Sequence, residues 1–196
     1  MPDIITVLFD IDGTIANTNE IILRTLADTL AMASGRAWRR EELLPHWGLV
    51  LREQLRRCYP HLALHQALLA EFPGVRAMLS ALQADGYTLG VVTSRKRAFS
   101  QLIVTEEDTA PRLKPLPDPL LYALQRLRAL SAAAVYVGDN PDDIIAAHAA
   151  GMRAVAVGWS LRAREELLAV QPDAIIDTPH DLCTFLALAS SASPAR

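Results

Sequence analysis

A chain of 196 residues, 51 % of them hydrophobic, is long enough for one sizeable core and a small accessory domain. A net charge of −3 and a pI near 5.9 leave no electrostatic footprint for nucleic acid or an anionic membrane, so neither partner is expected. Cys58 and Cys183 lack metal-type spacing, the five histidines lack H-x-x-H order, and no apolar run nears the roughly 20 residues of a membrane span, which predicts a cytoplasmic protein with free thiols and no zinc site.

The apolar run from Ile4 to Phe9 reads as a strand buried on both faces, and it ends in Asp10-Ile11-Asp12-Gly13-Thr14. Asp10 and Asp12 flank Ile11, so both carboxylates can project to one side at the strand terminus. Gly13 permits a sharp turn, and Thr14 is expected to bond to nearby backbone. Two carboxylates this close need a cation, a shared proton or a place in water. Asp-Gly is also a common turn, so a structural role and a Mg²⁺ site with a nucleophilic carboxylate both stand at this point.

After Thr14 the period changes from strand to helix. Asn17 or Thr18 can cap a helix carrying Ile21, Ile22, Leu26 and Leu30, which Gly35 ends, and the pattern stays helical from Arg39 to Phe72. Residues 16–72 therefore read as a small helical domain inserted after the first strand. Within it, His46-Trp47-Gly48-Leu49 is an aromatic-glycine turn that either faces a site or closes a corner. Arg52 is the residue there best suited to an anionic substrate, although a solvated helix face is the ordinary fate of such an arginine.

Phe72-Pro73-Gly74-Val75 opens a helix that runs to Gly86 at its C′ position. Thr88 to Thr93 is a second buried strand, and Thr93 and Ser94 at its end suit a phosphate oxygen or an ordinary turn. Leu102 to Thr105 looks like a third strand. The eight residues from Ser94 to Gln101 are fewer than the dozen or so a parallel crossover needs. Either the two strands are not parallel neighbours or residues are missing from the sequence here, and the need for a helix to cover the sheet favours the second. Lys114, flanked by prolines, can place an ammonium at low entropic cost.

Pro117 to Leu130 predicts an amphipathic helix with Leu120, Leu121, Leu124 and Leu127 on one side. Ala133 to Gly138 is a buried strand that ends in Asp139. Asn140 then caps a helix, with Pro141 at its first position and Asp143 in its first turn, that continues to Gly151. Arg153–Val157 is a strand, 161–170 a helix, Ala174–Ile176 an edge strand, and 181–189 a closing helix. Alternating strands and helices predict an α/β fold with a doubly wound parallel sheet, formed by residues 1–15 and 73–196. Its ligand belongs beyond the carboxyl ends of the strands, where all these polar clusters fall.

D-I-D-G-T, V-V-T-S, K-P-L-P-D-P and G-D-N-P-D-D, in that order, resemble the four motifs of the haloacid dehalogenase-like superfamily. The helical insertion, F-P-G-V and A-A-H-A-A-G-M resemble its phosphoglycolate phosphatase and pyrophosphatase branch. The resemblance implies Asp10 as nucleophile and Asp12 as acid/base. It places phosphate on Thr93, Ser94 and Lys114, and Mg²⁺ on Asp10, Asp139, Asp143 and the Asp12 backbone carbonyl. The insertion becomes a cap over the site.

The implied activity is a Mg²⁺-dependent phosphatase acting on a small phosphorylated metabolite or pyrophosphate. Asp12 favours this over a dehalogenase, in which the second aspartate is not kept. A sugar phosphomutase uses the same aspartates but needs a second phosphate grip, which Arg52 alone does not establish. A non-catalytic binding protein on the same scaffold sits badly with an intact Asp10 and Asp12. Compared with the family, the stretches near Pro60-His61 and Gln101-Leu102 are short, through deletion or missing residues, and neither the exact substrate nor an oligomeric state is encoded in a readable pattern.

Overall fold

The computed structural model describes residues 3–20, 23–24, 27–28, 31, 35–44, 71–93, 104–105, 113–159 and 161–191. The chain divides into two compact units, Met1–Ala16 with Glu71–Arg196, and Asn17–Ala70. Among the described residues the larger unit contains strands β1 (Thr6–Phe9), β2 (Thr88–Thr93), β3 (Val104–Thr105), β4 (Ala134–Gly138), β5 (Arg153–Val157) and β6 (Ala174–Ile176). They form one sheet in the order β3-β2-β1-β4-β5-β6, every neighbour parallel. The order reverses at β1, which has β2 on one side and β4 on the other, and the crevice beyond the strand ends at such a reversal is where doubly wound sheets bind ligands.

Both faces of this sheet are covered, which is why its central strands are continuous apolar runs. In register, Leu8 stands beside Tyr136 and Tyr136 beside Ala154, and these point to one face with Ala156. That face is packed by α3 (Asp118–Leu127) and α4 (Pro141–Ala149), through Leu120, Ala123, Leu124, Ile144 and Ala147, and by Leu167 of α5 (Arg164–Ala169). Val7, Phe9, Val135, Val137, Val155 and Val157 point to the other face, against Val75, Met78 and Leu82 of α2 (Val75–Ala84) and Leu182 and Leu186 of α6 (Pro179–Ser191).

Several sequence expectations change in detail. Val92 pairs with Val104 and Thr93 with Thr105, so β2 and β3 are parallel neighbours in the sequence as it stands. The pairing uses only the last two residues of β2, and residues 94–103, which connect the two strands, lie outside the described residues. On α3, Leu121 and Leu127 are exposed, and the buried stripe is Leu120, Ala123 and Leu124, a small alanine allowing close approach to the sheet. Helix α5 starts only at Arg164, because Ala163 is extended. Helix α6 starts at Pro179, since the Asp181 carboxylate accepts from Thr178 N at 2.8 Å and Asp177 N at 3.2 Å and so closes the first turn.

In the smaller unit, positions 19, 20, 23, 24, 27, 28 and 31 are helical. Gly35, at φ +71°, donates its N–H to Ala31 O, the expected helix stop. The Thr18 hydroxyl is buried without a hydrogen-bond partner, so it does not cap this stretch. A short helix, α1 (Arg40–Leu43), is started by the Glu42 carboxylate accepting from Arg39 N at 2.9 Å, and Arg40 pairs with Glu20. Leu23 and Leu43 are buried. Cys58, His46-Trp47-Gly48-Leu49, Pro60-His61 and Arg52 lie outside the described residues. No described helix is long and apolar enough to cross a membrane.

Candidate active site

β1 delivers Asp10 to the ligand crevice. The residue follows the last strand position, and its backbone N–H donates to Val137 O of β4 at 2.9 Å, which fixes it between the two strands. The chain then closes on itself: Ile11 O accepts from Thr14 N, Ile15 N and Ala16 N at 3.3, 3.0 and 2.9 Å, and Gly13 N donates to Ala16 O. This compact turn buries both Asp10 and Asp12. The Thr14 hydroxyl is buried without a hydrogen-bond partner, contrary to the expectation that it would bond to the backbone. Thr14 is held instead through its carbonyl, which accepts from Trp159 Nε1 at 3.2 Å. Trp159 also packs against Phe72, ring centroids 6.0 Å apart.

Asp139 follows Gly138, the last residue of β4, and α4 supplies Asp143. Asn140 caps α4, its side chain accepting from Asp142 N at 3.2 Å, while Asp143 Oδ2 accepts from Asn140 N at 3.1 Å. That reciprocal cap locks Asp143 toward the strand tips. Two glycines make the approach possible. A Cβ at Gly138 would overlap the Asp143 side chain, and one at Gly13, where φ is +84°, would overlap the Asp139 carboxylate. Gly13→Ala is therefore expected to lower stability by about 1–3 kcal/mol, from the positive φ and the overlap, and to displace Asp139. Thermal unfolding with and without a divalent cation measures both effects.

Asp10, Asp139 and Asp143 each offer an oxygen such that all three lie within 4.8 Å of one another, and all three residues are buried. Asp12, Thr93 and Lys114 stand with them. Asp12 is buried beside Asp10 but does not contribute a carboxylate to this triad. Thr93 is fully buried at the end of β2. Lys114 sits in the turn before α3, and its Nζ lies 3.1 Å from Asp10 Oδ1 and 2.7 Å from Asp143 Oδ1. Ser94 and Arg52 lie outside the described residues.

Burial pushes the Asp10 carboxyl up to about 7; the Lys114 ammonium opposes the rise, and the charges of Asp143 and Asp12 add to it. Burial also disfavours the Lys114 ammonium, but Asp10 and Asp143 outweigh that and hold its pKa well above the usual lysine value. One ammonium among this many acids leaves an excess of buried negative charge. The donors are all carboxylate oxygens, converging, and short of positive charge, which suits a hard divalent cation.

One participant was not legible as such in the sequence. Tyr136 in β4 is buried and its Oη lies 3.1 Å from Lys114 Nζ. The available signal was a tyrosine inside an otherwise apolar buried strand, since a buried phenol has to find a hydrogen-bond partner.

The family profile described as haloacid dehalogenase-like hydrolase matches residues 7–157, which contain the whole of this constellation. The chain belongs to the haloacid dehalogenase-like hydrolases. Pyrophosphatase PpaX of Bacillus mycoides is 34 % identical to it over 207 residues, covering 92 % of this chain and 96 % of the relative, and pyrophosphatase PpaX of Bacillus cereus is 35 % identical over 209 residues, covering 92 % and 95 %. Each alignment is longer than this 196-residue hydrolase, so the relatives carry residues that it lacks. Among solved structures, a predicted phosphoglycolate phosphatase from Haemophilus somnus superposes with a TM-score of 0.79 at 21 % identity, covering 94 % of this chain and 99 % of the other. The haloacid dehalogenase-like fold inferred from the four motifs is thereby established, and the chain is a hydrolase of that family.

Proposed function

We propose that this hydrolase cleaves a small phosphoric monoester or pyrophosphate, with Mg²⁺ held by Asp10, Asp139, Asp143 and the backbone carbonyl of Asp12. The observation that carries the proposal is the buried Asp10–Asp139–Asp143 triad with Lys114 bonded to two of its members, at the point where the strand order reverses. The names of the Bacillus relatives support the substrate class.

In this reading an Asp10 oxygen attacks phosphorus while the bond from phosphorus to the leaving oxygen breaks, and Asp12 gives that oxygen a proton. Asp12 then takes a proton from water as the water oxygen attacks the aspartyl phosphate, and the Asp10 carboxylate departs. Thr93, Ser94 and Lys114 bind the phosphoryl oxygens, the ammonium offsetting their charge. When bound, Mg²⁺ supplies further positive charge against the phosphoryl oxygens and favours the ionised, attacking form of Asp10. The Asn17–Ala70 unit serves as the cap that reads the leaving group, with Arg52 as its candidate anion contact.

An aryl phosphate, pyrophosphate and phosphoglycolate, each incubated with Mg²⁺ or with EDTA, test the proposal. Mg²⁺-dependent release of phosphate from at least one is expected. No release from any, by protein that is folded and loaded with Mg²⁺, overturns it.

A further inference from the structure

Tyr136 is a fully buried phenol in β4 that the scheme above leaves without a task. Its Oη donates to Val92 O at 2.9 Å and lies 3.1 Å from Lys114 Nζ. A phenol has one proton. With that proton given to the β2 backbone, the oxygen meets the ammonium as an acceptor.

The ammonium has three protons, and Tyr136 Oη, Asp10 Oδ1 and Asp143 Oδ1 stand at 3.1, 3.1 and 2.7 Å from it. Two of these acceptors belong to the carboxylate triad. A cation bound there draws on the same two carboxylates that hold the ammonium, but it does not draw on the phenol. Val92, moreover, immediately precedes Thr93, so the Tyr136 hydroxyl joins Lys114 to the strand end that carries the other phosphate-binding candidate.

We propose that Tyr136 is a positioning residue: a neutral anchor, tied to the end of β2, that keeps the Lys114 ammonium aimed at the phosphoryl group when Asp10 and Asp143 engage a cation. The proposal rests on the phosphatase reading above and adds a residue to it. A purely structural Tyr136 would do no more than satisfy the Val92 carbonyl.

Tyr136→Phe keeps the ring and removes Oη. Its kcat for an aryl phosphate in Mg²⁺ is expected to fall about 10- to 100-fold, the size of loss that follows when a group holding an active-site residue is removed. Calorimetric titration with inorganic phosphate is expected to show weaker binding, and thermal unfolding run alongside separates lost aim from lost fold. Difluorotyrosine at position 136, which keeps the hydroxyl and weakens its lone pairs, is expected to shift kcat in the same direction by less.

In a Lys114→Met background, Tyr136→Phe should change kcat no further, because the residue acts through Lys114. Wild-type kcat and phosphate affinity in folded Tyr136→Phe overturn the proposal alone, as does an undiminished effect in the Lys114→Met background. A wild-type chain with no phosphatase activity overturns the phosphatase reading and this proposal with it.

Discussion

Asp10→Asn is expected to reduce Mg²⁺-dependent hydrolysis of an aryl phosphate by at least about 10³-fold while the protein still folds, since the amide has no anionic oxygen with which to attack phosphorus. The same variant carries a second, opposite expectation for stability. The Asp10 carboxyl stands at about 7 in the folded protein against an ordinary 3.8, because its charged form is buried among other acids. Between those two values the folded state binds a proton that the unfolded state has released, so stability falls as pH rises through that window. Asparagine mimics the protonated acid and carries no such penalty. In EDTA, Asp10→Asn should therefore melt higher than wild type at pH 8 and lose that advantage near pH 4. Retained activity, or a variant that melts lower than wild type at pH 8, would count against Asp10 as a strained, buried nucleophile.

How far this could be read from the sequence differs from one element to the next for physical reasons. β1 and β4 are buried along their whole length, and β2, more open at its start than the expected buried strand, is buried at Val92 and Thr93, so each ends in an apolar run whose closing polar residue marks the strand tip. That is why Asp10, Thr93 and Asp139 were legible, and Asn140-Pro141 likewise announced the start of α4. Helix faces were less legible. A stripe drawn through leucines put Leu121 and Leu127 inside α3, whereas proximity to the sheet selected Ala123, whose small size says nothing about direction. Register was not legible at all: β2 and β3 pair only through Val92 with Val104 and Thr93 with Thr105, which no local pattern specifies. Tyr136 was hidden for a third reason, since its ring satisfies the apolar pattern of β4 and its polar function lies at the tip.

Lys114→Met keeps much of the side chain's volume and removes its charge, and two losses are expected. Hydrolysis should fall by about 10²-fold or more, as when one group aimed at developing phosphoryl charge is lost. The metal-free protein should also lose about 3–5 kcal/mol near pH 8, because breaking a buried ion pair strands its partners, here Asp10 and Asp143. The sign with pH follows from both groups. The folded Lys114 pKa lies above the ordinary 10.5, so in wild type the ammonium itself stays charged throughout pH 5–9. In the variant the Asp10 carboxyl loses the ammonium that opposes its rise and resists ionisation more strongly, so the stability deficit is greatest above about pH 7 and shrinks as acid protonates Asp10. A divalent cation provides the decisive comparison. Mg²⁺ replaces the missing positive charge beside the same carboxylates, so it should raise the melting temperature of Lys114→Met by more than that of wild type, yet it should not restore turnover, because the phosphoryl group still lacks its ammonium. Equal stabilisation of the two proteins by Mg²⁺ would mean that cation and lysine do not share Asp10 and Asp143, and the arrangement of charge inferred for this site would have to be redrawn.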